Sequence, residues 1–370
     1  MKLRTLLNII GALSVYNIIV FYIGWNGWVW LQTITNDVNL PIYTIIILLL
    51  AYGFMIDRYI HFTNFFKIIG SYWIALVQYS LLVLPIANIT ALLLRFSPYD
   101  QELITFWTGI VTLITFTVIF TYGAVQAYSP IIRKYEITIP KQSKDQQSLR
   151  IAMASDMHFG LLSGRAHAQR LVDCVNKIKP DLILLAGDIV DDDPKEFQAK
   201  KMDAILKQMD APLGKYGVLG NHEYYGKQIP EFVAAMKEIN ITILQDEIIQ
   251  LENNVTIVGR KDKTDRKRQS IEELLQDTDK NTPIILLDHQ PLELEQAMNQ
   301  GVDISLSGHT HRRQMWPNHI FTRRIFELDY GYKHKNQLHA FVSSGFGFWG
   351  PPVRLGSRSE VLQIDIKFIS

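Results

Sequence analysis

Cysteine is nearly missing from this chain: one thiol, Cys174, in 370 residues excludes a disulfide framework and any zinc module built on several thiolates. Net charge is equally slight. The 37 Lys and Arg against 36 Asp and Glu leave +1 at pH 7, so no uniform field points to nucleic acid or to a strongly acidic partner. Charge of either sign is scarcest in the first 130 residues, which hold only Lys2, Arg4, Arg58, Lys67, Arg95, Asp37, Asp57, Asp100 and Glu102. Those are nine of 73 charged side chains, and the other 64 fall in the last 240 residues, near the roughly 25% of a water-soluble domain. With 48% hydrophobic residues the chain has material for a large core, and collagen-like, disordered and coiled-coil classes are excluded.

The charge-poor part contains four apolar runs, at residues 5–25, 40–56, 68–94 and 103–128. A hydrocarbon core of about 30 Å needs about 20 helical residues, so four spans are expected, the second only just long enough. The first run follows Lys2 and Arg4 like a signal peptide, but no small-residue cleavage pattern follows it and it is expected to be retained. Pro85 is read as a tolerated kink. Trp25, Trp28 and Trp30 suit an interfacial belt. No ionisable group lies deep in a run, so an ion pathway is not expected. Lys2, Arg4, Arg58, Lys67, Arg133 and Lys134 all fall on one side of four spans, which predicts cytoplasmic termini.

Residues 129–147 read as a linker leading into a short strand at 135–139. From residue 149 a pattern recurs five times: a short apolar run, too short for a helix, ends abruptly in metal-binding side chains. The run 149–155 meets Asp156, Met157 and His158, and the run 182–186 meets Gly187, Asp188 and Asp191. The run 216–219 meets Gly220, Asn221, His222 and Glu223; 284–287 meets Asp288, His289, Gln290 and Pro291; 302–306 meets Ser307, Gly308, His309, Thr310 and His311. Helix-like segments at 165–178, 196–209, 230–239 and 270–277 lie between them. Strands alternating with helices imply a layered α/β unit, in which ligands bind beyond the carboxyl ends of the strands, so the corners are expected to converge. Half of the ten histidines lie in these corners. The expected metal ligands are Asp156, His158, Asp188, Asn221, His289, His309 and His311. Oxygen and imidazole donors without thiolate suit Mn, Fe or Zn, and seven donors exceed one ion. Two ions sharing a carboxylate would account for the number and can activate water against phosphorus.

In this order, DxH, GDxxD, GNHE, a His before Gln-Pro and GHTH resemble the calcineurin-like metallophosphoesterase superfamily, most of all its membrane-anchored bacterial branch, over about residues 149–370. The resemblance implies one ion on Asp156, His158, Asp188 and His311 and another on Asp188, Asn221, His289 and His309, with His222 as general acid or phosphoryl stabiliser. It departs from the pattern at Arg312 and Arg313, where relatives often carry small residues. Either these arginines hold a second anionic group of the substrate or they are merely solvated.

Lesser features have plainer alternatives. The basic run 260–268 reads as a solvated loop or a headgroup contact, and Asp191 and Glu223 as partners that orient ligands or as turn residues. Cys174 reads as a small buried hydrophobe. Phe346, Phe348 and Trp349 with Tyr224 and Tyr225 either line a site or pack a core, and 360–366 reads as a closing strand. The expected architecture is a membrane α-helical anchor plus α/β: residues 1–128 a four-helix transmembrane domain, 129–147 a linker, and 148–370 a four-layer sandwich of two packed β-sheets flanked by helices. The expected activity is attack of a metal-bound hydroxide on a phosphoester or pyrophosphate of a lipid-linked substrate, with membrane lipids as partners. A soluble nucleotide-type diester is the alternative, a non-catalytic scaffold the remoter one.

Overall fold

Uninterrupted apolar sequence forces helix in the N-terminal unit, because in lipid each backbone N–H and C=O must be satisfied within its own segment. The runs form α1 (Leu3–Gln32), α2 (Leu40–Ile60), α3 (Asn64–Leu94) and α4 (Gln101–Tyr128). The computed structural model describes residues 3–35, 37–60, 64–144, 146–192 and 194–369; Lys2 and His61 lie outside them. Among the described residues α1, α3 and α4 are long and apolar enough to cross a membrane. The apolar stretch of α2, Leu40–Gly53, is shorter. Tyr16, on α1, donates to Ala51 O of α2 at 2.6 Å and accepts from Trp73 Nε1 of α3 at 3.0 Å, beside a small core of Val20, Ala51 and Trp73.

The chain divides into two compact units, Met1–Tyr122 and Gly123–Ser370. The second unit opens with the last turn of α4, followed by β1 (Ile131–Ile139), β2 (Ser148–Ala154), α5 (Arg165–Ile178), β3 (Leu182–Ala186), α6 (Lys195–Ala199) and α7 (Met202–Leu206). Next come β4 (Lys215–Val218), α8 (Asn221–Gly226), α9 (Ile229–Glu238), β5 (Thr242–Leu244), β6 (Glu247–Gln250), β7 (Thr256–Gly259) and α10 (Ile271–Leu275). The chain ends with β8 (Ile284–Leu287), α11 (Leu294–Asn299), β9 (Ile304–Ser307), α12 (His319–Ile325), β10 (Gly331–Lys335), β11 (Leu338–Val342) and β12 (Glu360–Phe368).

Two six-stranded sheets result, ordered β1-β12-β2-β3-β4-β5 and β10-β11-β9-β8-β7-β6. Alternation along the strands builds the layers. On β2, Ile151 and Met153 point between the sheets with Leu184, Ile285 and Leu306, whereas Ala152 and Ala154 face Leu171 and Val175 of α5. Val258, Leu286 and Ala340 on the outer face of the second sheet meet Leu275 of α10 and Leu294 of α11. Helix, sheet, sheet and helix stack as the four-layer sandwich.

Two elements differ from the sequence reading. The segment 129–147 is not simply a connector: its nine-residue strand β1 runs parallel to β12 in register from Ile131↔Glu360 to Ile139↔Phe368. The helix expected over 196–209 breaks in two at Lys201, which sits at φ 49°. Phe197 and Met202 are both fully buried. Five residues apart on one continuous helix they would face sides about 140° apart, and the break lets both face the core.

Candidate metal centre

The five corners follow β2, β3, β4, β8 and β9, and parallel pairing of β2-β3-β4 and of β8-β9 puts their carboxyl ends on one side. Backbone bonds then stitch the corners together. Asp156 N–H donates to Gly187 O at 2.9 Å, His158 N–H to Asp188 O at 3.0 Å, and Gly308 N–H to His289 O at 3.0 Å. Gly187 adopts φ 85°, and a Cβ there would lie 2.6 Å from His289 Nδ1, so glycine is what allows this crossing.

All seven expected ligands come together. Asp156, His158 and His311 form one group of convergent donors, and Asp188, His289 and His309 form another. Asp188 reaches both, with Oδ2 3.2 Å from His289 Nε2 and 3.7 Å from His158 Nε2. His309 Nδ1 lies 2.8 Å from Asn221 Oδ1. His311 Nε2 lies 3.3 Å from Asp156 Oδ1 and 3.0 Å from His158 Nε2. Five of the seven, Asp156, His158, Asp188, His309 and His311, hold positive φ, a conformation that costs non-glycine residues free energy and gathers at functional sites.

Electrostatics favour cations here. Burial pushes His158 down to about 3 and His309 to about 4, and, with His158 alongside, holds His311 well below the imidazole range. Those rings are neutral, the form that binds metal. Burial opposes ionisation of Asp188, but His289 and His158 beside it draw its carboxyl below the usual range. His289 is raised in turn, against burial, by Asp188. A proton there occupies ground where the carboxylate favours any positive charge. Burial lifts Asp156 to about 6. His158 Nδ1 and His311 Nδ1 are buried without a hydrogen-bond partner, and His289 Nδ1 is 2.8 Å from Ala186 O, which leaves Nε2, facing Asp188 Oδ2, as the ligand atom. The Nε2 atoms of His158, His289 and His311 face the Asp188 and Asp156 carboxylates, a donor set that suits a metal ion.

Glu223 orients rather than ligates. Its buried carboxylate accepts from the amides of Asp188 (3.2 Å), Ile189 (2.6 Å), Val190 (3.0 Å) and Gly220 (2.7 Å), fixing the Asp188 turn. Burial and the nearby Asp188 charge raise it to about 7. His222 donates its backbone N–H to Asp188 Oδ1 at 2.9 Å, and its Nδ1 lies 2.6 Å from Asp192 Oδ1. Burial disfavours its proton, yet Asp192, Asp188 and Asp191 raise it to about 9. Asp191 Oδ1 stands 3.6 Å from His222 Nδ1 and 3.9 Å from His158 Nδ1. Arg312 lies over the Tyr330 ring at 4.7 Å, and Arg313 is exposed.

Two contributors escaped the sequence reading. Asp192 follows Asp191 directly and was not singled out in the sequence. Arg354 carries no periodic signal, yet it is fully buried, donating to Ser344 O at 2.8 Å, Gly345 O at 3.1 Å and Gly347 O. That loop returns amides from Phe346 to Ser155 O and from Gly347 to Asp156 O, both at 2.8 Å. Phe346 and Phe348 are core residues, which decides the reading of the aromatic loop for them, while Trp349 is exposed. Cys174 is half-buried against the core, as a small hydrophobe would be.

Comparison with known proteins agrees with this geometry. The calcineurin-like phosphoesterase family model matches residues 149–313. The chain is 30% identical over 335 residues to a transmembrane protein with metallophosphoesterase domain from Danio rerio, covering 85% of this chain and 76% of that one. It is 32% identical to an uncharacterized metallophosphoesterase of Aquifex aeolicus, covering 66% of this chain and 95% of the relative. A Helicobacter pylori metallophosphoesterase is also 32% identical, and the chain spans 64% of its length, short of two thirds. With its ligand-bearing strand ends and its long apolar N-terminal helices, the chain belongs to the calcineurin-like metallophosphoesterases, as a membrane protein carrying a metal-dependent phosphoesterase domain.

Proposed function

We propose that the chain hydrolyses a phosphoester or pyrophosphate of a lipid-linked substrate, with two divalent ions, Mn, Fe or Zn, held at the joined corners. Asp156, His158, Asp188 and His311 hold one, and Asp188, Asn221, His289 and His309 the other. When bound, such ions supply Lewis-acid charge that polarises phosphoryl oxygens and makes water a nucleophile near neutral pH. Asp188 belongs to both sets and would be the carboxylate the two ions share. Glu223 keeps the Asp188 turn from relaxing through its four amide bonds. His222, its Nδ1 anchored to Asp192, offers Nε2 and a retained proton to the leaving oxygen. Arg312 and Arg313 meet a second anionic group of the substrate. The domain faces the cytoplasm of a multi-pass cell-membrane protein, following the placement of Lys and Arg.

The observation that carries this reading is the convergence of buried imidazoles and carboxylates, Asp156 with His158 and His311 in one group and Asp188 with His289 and His309 in the other. Asp188→Ala tests it. Elemental analysis of the purified variant is expected to show most of the metal gone, with phosphatase activity lost in parallel. Full activity after exhaustive chelation, or unchanged metal content in the variant, would overturn the shared-carboxylate assignment.

A further inference from the structure

Beyond the metal centre, the stretch from His311 to Phe326 holds four arginines and no acid. Its apolar side chains are turned out instead of in. Trp316 is 52% exposed, Ile320 46%, Phe321 58% and Ile325 60%, and Thr322 is the one buried residue of α12. Arg313, Arg323 and Arg324 are exposed among them. A second exposed tryptophan, Trp349, is tied to the same stretch by Gln314, which accepts from Trp349 N–H at 3.0 Å and donates to Trp349 O and Pro351 O.

Large apolar groups left in water mark an interaction surface. Three observations identify what covers this one. Tryptophan and bulky aliphatics interleaved with arginine is the composition of segments that lie in the headgroup layer, where the rings take the interface and the cations meet anionic lipid. The absence of any acid across the stretch gives it the charge that complements such a surface. The loop that bears Trp349 also continues into Arg354 and Ser359, whose amides donate to Gly123 O and Gln126 O in the last turn of α4. The loop that carries Trp349 is thereby fixed to residues 123–126, the first residues of this unit.

We propose that residues 316–325 together with Trp349 form a bilayer-docking surface that settles the phosphoesterase unit into the headgroup layer of an anionic membrane. The aromatic and aliphatic side chains enter the acyl boundary and Arg323 and Arg324 pair with lipid phosphates. This assignment concerns where the unit rests and does not depend on which phosphate compound it cleaves.

The full chain, reconstituted in vesicles, provides the test. In a Cys174→Ala background, Phe321→Cys carries an environment-sensitive fluorophore, with Glu238→Cys on α9 as the exposed comparison. In vesicles of phosphatidylcholine and phosphatidylglycerol the label at 321 is expected to shift to the blue and to be quenched severalfold more by nitroxide-bearing lipid than the label at 238. Arg323→Glu with Arg324→Glu is expected to remove that difference while hydrolysis of a small water-soluble ester continues. Quenching of the 321 label by aqueous iodide alone would overturn the proposal. So would shielding from both quenchers, which would mean that protein covers the patch. Should the cysteine replacement unfold the chain, Trp316→Phe with Trp349→Phe in the unaltered chain reads the same contact. Loss of a brominated-lipid-quenched share of the emission supports docking, and an unchanged share refutes it.

Discussion

His222 sits where burial and three carboxylates pull on its proton in opposite directions, and the carboxylates win. A protonated imidazole beside Asp188 is suited to give its proton to a departing oxygen, a contribution typically about 10²- to 10⁴-fold and largest for poor leaving groups. His222→Gln is therefore expected to slow an alkyl phosphoester far more than p-nitrophenyl phosphate, at metal content near that of the parent. Equal losses on both substrates would show a binding role instead. At this scale the sequence was most informative about donor atoms, since each metal-site side chain lies at an abrupt end of an apolar run. It was silent on conformation. Nothing in the letters Asp-Met-His announces that Asp156 and His158 sit at φ 52° and 43°. Asp192 and Arg354 were hidden for a related reason: their roles come from partners 30 residues away in one case and from carbonyls of a folded-back loop in the other.

The loop between β7 and α10 shows what an element can do that its composition conceals. Its basic run suggested a solvated loop or a headgroup contact, yet Arg260 is buried and binds Asp288 at 3.1 Å and Glu293, while Arg268 reaches Glu293 at 3.0 Å. Mixed charges close in sequence look like surface. Here their counterions arrive from the segment after β8, a long-range pairing that no local pattern contains. The network ties this loop to the segment that carries His289. Burial resists the Glu293 charge, but Arg260 and Arg268 overcome it and hold the carboxyl below its ordinary value of 4.5. A depressed carboxyl adds stability above its unfolded pKa and loses it as the pH falls through the folded one. Glu293→Gln is accordingly expected to cost about 1–3 kcal/mol at neutral pH, between the exposed and the buried limits for ion pairs. Parent and variant should converge as the pH drops below the ordinary glutamate range, as read by urea unfolding of the full protein in detergent. A constant gap down to strong acid would mean that the packing of the side chain, not its charge, is what matters. Alternation of buried residues made the strands legible, whereas the break between α6 and α7 followed from a core demand at Phe197 and Met202 that helical periodicity does not encode.

For the whole molecule the question is what the membrane unit contributes to catalysis. The phosphoesterase unit begins at Gly123, before β1, whose pairing along β12 spans nine residues. A fragment cut inside that strand would leave the edge of the first sheet open. One that starts at Gly123 keeps β1 and the last turn of α4, with the bonds from Arg354 and Ser359 to that turn. It also retains every proposed ligand and three sizeable buried clusters, enough to fold independently. Its turnover of a small soluble ester should therefore match the full chain at equal metal loading. A substrate confined to the bilayer changes the comparison, because the anchor raises effective concentration without adding a contact to the site, and its loss lowers turnover by about 10²- to 10⁴-fold. Assayed in vesicles with both substrates, the two activities of the fragment are expected to diverge, the lipid falling by orders of magnitude and the ester holding. Parallel loss on both would show that the helices are needed for the fold. Retention of both would move the substrate into solution and leave the helices the task of location.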